Sequence, residues 1–236
     1  MERRTPIFIC ASPRSRVGKT LLARLLADYY RADDRDITAF DLSPDEFALA
    51  SFLPAYTAVS SIGDTRGQMA LFDDLLVADE VPKIVDVGQA LFERFFAVLR
   101  DIDFVDEARH RFLMPIVLFP GDPDARSRQA YAMLHDRFPD LAIVPVMNAA
   151  VPHPMRYQEH FPASRVGTTP ISIPALAAVI KGVIDRPGFS FANYLAKATD
   201  QTTELYGWTN RIFLEFRELE LRLMLEDLKP ALKFSA

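Results

Sequence analysis

The chain has 236 residues, half of them apolar and a quarter charged, with a formal net charge of −5. That length can bury one sizeable α/β core, and the acidic balance argues against a generally basic nucleic-acid binder. A single cysteine, Cys10, excludes an internal disulfide framework and fits a reducing, cytoplasmic setting.

Met1-Glu2-Arg3-Arg4 opens the chain on basic residues, but the apolar run behind it is too short for a signal peptide. No stretch approaches the roughly 20 apolar residues of a membrane span, so a membrane role is not expected. Ile7-Phe8-Ile9-Cys10-Ala11 reads as a short buried strand, and Thr20 to Ala27 as a helix. Between them stands Ser12-Pro13-Arg14-Ser15-Arg16-Val17-Gly18-Lys19-Thr20. Strand, loop, Gly-Lys-Thr and helix in this order form the layout of a phosphate-binding loop, whose backbone N–H groups and helix N-terminus attract an anion. In that reading Lys19 meets the β- and γ-phosphates and the Thr20 hydroxyl ligates Mg²⁺. Pro13 stands where such a loop has its first glycine, fixing φ and removing one donor from the cradle. The competing reading is an ordinary strand-to-helix turn.

Asp36 to Asp41 is a second strand ending on an acid, followed by a loop and short helix containing Ser43, Pro44 and Pro54. Gly67 to Ala78 has helical periodicity, Lys83 to Gly88 is a third strand, and Ala90 to Arg100 a further helix. Phe112 to Phe119 is an apolar strand closed by Pro120-Gly121-Asp122-Pro123; Asp124 to Phe138 is a helix, and Leu141 to Met147 a strand ending at Asn148. Ile171-Ser172-Ile173-Pro174 is a last short strand, with Pro174 opening a helix to about Ile184. After a turn at Pro187-Gly188 the chain is helical, from Asn193 or Thr202 to Leu228.

Strands apolar throughout and separated by helices predict a three-layer α/β fold, with a mostly parallel central sheet, helices on both faces and a long C-terminal helix. Residues 1–190 form the α/β domain in this reading, and 191–236 a helical extension packed on it. The extension carries two apolar stripes. Leu205, Trp208, Ile212, Phe216, Leu219 and Leu223 suffice to dock it. A second stripe of Leu214, Leu221, Leu225 and Leu228 marks either a dimer or partner surface, or a helix buried on two sides.

Ligands bind such sheets at the C-terminal ends of the strands, where Gly18, Asp41, Asp86 and Asn148 all fall. Asp86, followed by Val87-Gly88, suits Mg²⁺ held directly or through water; its bland alternative is a helix cap. Asp41 either orders water around the ion or contacts Lys19, or else caps the turn at Ser43-Pro44. The four histidines, His110, His135, His153 and His160, lack metal-ligand spacing.

These residues make the chain resemble the ParA/MinD group of deviant Walker P-loop ATPases (the SIMIBI class), which includes the nitrogenase iron protein. The family loop reads Lys-Gly-Gly-x-Gly-Lys-Ser/Thr; here Arg14 stands at its first lysine, and Ser15 and Arg16 at the following glycines. The resemblance implies an ATP or ADP site with Mg²⁺. Arg14, Ser15, Arg16, Val17, Gly18, Lys19, Thr20 and Leu21 would lie on the phosphates, with Thr20 and Asp86 on the metal. Asn148 and Pro174 would lie on the base side, with Lys19 and Asp41 catalytic. The family's second strand ends Asp-x-Asp, whereas this chain has Asp41-Leu42-Ser43, so slow or absent hydrolysis is expected.

The family's function is that of a nucleotide-dependent dimeric switch in partitioning or positioning, acting on DNA, membrane or a protein partner. The acids Glu215, Glu218, Glu220, Glu226 and Asp227 on the last helix favour a protein partner over a membrane. Arg126 and Arg128 leave non-specific DNA open. Two alternatives stand beside this reading. One is a pseudo-ATPase interaction module that binds no nucleotide. The other is a ligase of the dethiobiotin synthetase type, which shares the Val17-to-Thr20 ending but needs a lysine after the second strand.

Overall fold

The strand sequences have no polar face, so both sides of the sheet must be covered. The computed structural model describes residues 4–43, 49–151, 160–162 and 169–233, with 227–233 as helical backbone only. Pro44, His153 and the side chains of Asp227 and Leu228 lie outside the described residues. Seven strands form one sheet: β1 (Thr5–Cys10), β2 (Thr38–Asp41), β3 (Thr57–Val59), β4 (Lys83–Asp86), β5 (Leu113–Pro120), β6 (Ala142–Asn148) and β7 (Ile171–Ile173). Their order is β3-β2-β4-β1-β5-β6-β7, and every neighbouring pair is parallel. The register sets Cys10 beside Asp86 and Asp86 beside Asp41, so three strand ends finish level at one edge.

The connecting helices are α1 (Lys19–Ala32), α2 (Leu49–Phe52), α3 (Thr65–Leu75), α4 (Phe92–Asp101) and α5 (Phe104–His110). They continue as α6 (Ala125–Arg137), α7 (Ala178–Ile184), α8 (Phe191–Lys197) and α9 (Glu204–Lys233). Alternation along β1 divides the core. Phe8 and Cys10 face α1, α8 and α9 through Leu22, Leu26, Phe191, Ile212 and Phe216. Ile7 and Ile9 face α3 to α6 through Phe72, Phe95, Phe96, Phe104 and Leu134. The second layer is largely aromatic, with Phe95 and Phe96 edge to face at 5.4 Å. Removing one such ring costs about 3–5 kcal/mol, so Phe95→Ala is a severe lesion.

Two elements were not expected. β3 has only three residues, two of them exposed, so it offers no apolar run. α5 follows Asp103 in the left-handed region at φ 49, after which the chain starts a new helix where α4 would have continued. One boundary is corrected: Pro174 does not open a helix. α7 begins at Ala178, and the Pro174 carbonyl accepts from the indole N–H of Trp208 at 2.8 Å.

The C-terminal extension docks as its first stripe predicts. Leu205, Trp208, Ile212, Phe216, Leu219 and Leu223 are all buried in the core shared with α1. Polar anchoring fixes the helix axially: Glu220 accepts from the Tyr29 and Tyr30 hydroxyls at 2.8 Å each and pairs with Arg35 at 3.2 Å. Burial opposes the Glu220 charge, but the hydrogen bonds from Arg35, Tyr29 and Tyr30 outweigh it and hold the carboxyl below its ordinary range. Leu214, Leu221 and Leu225 of the second stripe are exposed. Among the described residues no helix is long and apolar enough to cross a membrane.

Candidate nucleotide site

The loop after β1 delivers its chemistry through one glycine. Gly18, the N-cap of α1, has φ +96, a conformation that side-chain-bearing residues rarely adopt. A Cβ there would also meet Asn148 Nδ2 at 2.6 Å. Asn148, at the end of β6, donates from that nitrogen to the Val17 carbonyl at 3.1 Å, so the far side of the sheet braces the loop. Arg16 is also left-handed, at φ 58, which curls the segment between Pro13 and Gly18.

Lys19 and Thr20 then open α1 with their side chains turned to the sheet edge. Lys19 Nζ donates back to the Arg14 carbonyl at 2.6 Å, closing the loop around the ammonium group. The Thr20 hydroxyl donates to Asp86 Oδ2, also at 2.6 Å. Asp86 is fully buried, and among the described residues its Oδ1 has no hydrogen-bond partner. Burial pushes the Asp86 carboxyl up to about 7, with Thr20 lowering it, Asp41 raising it and Lys19 lowering it in smaller measure. A buried carboxylate oxygen left unmatched beside a hydroxyl is costly unless protonated or given a cation. The donor set is hard oxygen, which suits Mg²⁺ and its retained waters.

Asp41 is equally buried, but its oxygens accept from the backbone N–H groups of Ser43 at 2.8 Å and Ala50 at 3.0 Å. Those bonds are the turn-and-cap arrangement open in the sequence. Arg14 pairs with Asp124, its Nε 2.9 Å from Oδ2, on the outer side of the loop. Asp124 in turn caps α6 by accepting from Ser127 N at 2.7 Å.

Beyond the loop a cleft of about 580 Å³ opens at the C-terminal edge of the sheet. Ser15, Arg16, Gly18, Lys19, Thr20 and Leu21 line it together with Asn148, which lies against Gly18, and with Ile173 and Pro174 of the β7 end. The structure thus gathers most of the sequence-derived set in one place. Val17 contributes its carbonyl from just behind the lining, and Arg14 lies outside it, as does Asp86, beneath Thr20. Sequence reasoning missed Leu176, Lys181 and Asp185, which lie in or beside α7, and Trp208 of α9, all of which line the cleft. Trp208 carried a signal that was read only as docking; the other three carried none.

Arg24, one turn below Thr20, supports this wall. Its buried guanidinium donates to the Ile184 carbonyl at 2.5 Å and lies 3.5 Å from the centroid of the Phe52 ring. Burial lowers its pKa to about 10, against the raising effects of Asp185 and Asp28. No protein-family model matches the chain, and no curated protein matches it in sequence.

Proposed function

We propose that the chain binds ATP or ADP with Mg²⁺ at the loop from Arg14 to Leu21 and acts as a ParA/MinD-like nucleotide-dependent dimeric switch. The observation that carries this reading is the alignment of Lys19, Thr20 and the half-satisfied Asp86 at the N-terminus of α1, on the ligand-binding edge of a parallel sheet.

Each residue has a defined task. Gly18 lets the backbone approach an anion, and Lys19 supplies a fixed positive charge to the terminal phosphates. Thr20 and Asp86 would hold the metal, which when bound neutralises phosphate charge. Asn148 keeps the loop curled, while Pro174 and Trp208 shape the far end for a base. Arg14, paired with Asp124 on the outer side of the loop, would have to leave that carboxylate to reach a phosphate. Ser43 is uncharged and cannot take a proton from water at the place where the family uses a second acid, so turnover is slow or absent. A protein partner fits the acidic C-terminal helix better than a membrane does.

Pro13 favours a second reading, an interaction module without nucleotide, because it removes a backbone donor from the cradle. Calorimetric titration with ATP and Mg²⁺ separates the two, with Lys19→Ala as the control. Micromolar binding lost in the variant is the expected result. No heat at millimolar nucleotide would leave the interaction module as the surviving reading.

A further inference from the structure

The outer side of α9 carries a pattern that neither the core nor the cleft uses. Arg211, Leu214, Glu218, Leu221 and Leu225 are all exposed, at successive spacings of three, four, three and four residues. A 3-4 repeat is the seam of a coiled coil, whereas a helix docked on a sheet needs only the inner stripe that α9 already buries. The three leucines stand 58, 53 and 60% exposed over about 17 Å of helix.

We propose that this seam pairs with the same seam of a second copy of the chain, the two helices running antiparallel about a two-fold axis. Charge decides the orientation. Parallel helices would set Glu218 against Glu218 and Arg211 against Arg211 in the seam, two like-charge layers. In the antiparallel register with the axis between Leu219 and Glu220, Leu214 of each copy meets Leu225 of the other. Leu221 covers the stem of Glu218, and Glu215 faces Arg222 across the flank, each contact occurring twice by symmetry. Arg222 already holds Glu218 of its own helix at 2.9 Å, so in the pair it stands between two carboxylates. This contact lies outside the phosphate loop and needs no nucleotide.

Sedimentation velocity on the full chain without nucleotide, over a concentration series, tests it. The wild type associates to a dimer. Leu221→Glu, at an exposed position that leaves the fold and melting temperature unchanged, weakens association at least about a hundredfold. Arg222→Glu weakens it as well, and adding Glu215→Arg restores it. Residues 215 and 222 lie two turns apart in one helix, too far to pair within a copy, so this recovery reports the antiparallel contact. Lys19→Ala leaves the dimer intact. A wild type that stays monomeric, a dimer indifferent to Leu221→Glu, or a charge swap that fails to recover overturns the proposal.

Discussion

Thr20 Oγ1 and Asp86 Oδ2 come from residues 66 positions apart in the chain and lie 2.6 Å apart in the fold. The bond joins the first turn of α1 to the end of β4 and satisfies one oxygen of a buried carboxyl, the other having no partner among the described residues.

That half-satisfied carboxyl gives the protein a defined pH dependence. Asp86 is raised by burial from 3.8 to about 7, so between those values the folded state holds a proton that the unfolded chain releases. Its contribution to stability is full below about pH 4 and is lost as the pH rises through about 7. Urea unfolding of the nucleotide-free protein at pH 5 and pH 8 should show the wild type losing a few kcal/mol over that interval from this group. Asp86→Asn should flatten the profile. Equal slopes in the two proteins would place the proton elsewhere.

Gly18→Ala tests the loop geometry. A left-handed backbone and a Cβ 2.6 Å from Asn148 Nδ2 together should cost about 1–3 kcal/mol. Asn148→Ala removes the obstructing amide but also the bond to the Val17 carbonyl. The double variant should therefore be more stable than the sum of the two single losses implies. Additive losses in thermal unfolding would show that the two side chains do not meet.

Glu220 is the polar peg of α9. Glu220→Ala leaves the Tyr29 and Tyr30 hydroxyls and Arg35 without their shared acceptor, and should cost about 2–4 kcal/mol. The depressed carboxyl pKa gives the sign with pH. The stabilisation is present above the unfolded value near 4.5 and is lost as the pH falls through the lower folded value. A variant that melts with the wild type at pH 7 but diverges in acid would reverse this assignment.

Trp208 is the chain's only tryptophan, and it lines the cleft while its indole N–H holds the Pro174 carbonyl. Filling the cleft changes the surroundings of that ring. Adding ATP and Mg²⁺ should change the intrinsic fluorescence of the wild type with the same midpoint that calorimetry gives, and leave Lys19→Ala unchanged. A silent signal alongside measurable heat would put the nucleotide outside the cleft's Trp208 end.

Much of the architecture was legible because its signals are local. Apolar runs gave six of the seven strands, and Gly18-Lys19-Thr20 announced the loop by sequence alone. Asn148 was found because strand ends face the ligand edge, although its bond to Val17 depends on how β6 is placed beside β5 and could not be read. Asp41 had two readings, and the bonds to Ser43 and Ala50 are those of the cap. Pro174 was misplaced by the rule that proline favours a first helical turn. Here the Trp208 indole holds its carbonyl in place, a tertiary contact across 34 residues that no local pattern encodes.

Cys10 sits at the end of the central strand, level with Asp86 and fully buried, and burial holds its thiol well above the ordinary range. The chain therefore carries its one thiol at the place where the sheet must come apart before any reagent can arrive. Its alkylation rate is a clock for opening of β1, and a nucleotide held by the adjoining loop would slow that clock in proportion to how tightly it is bound.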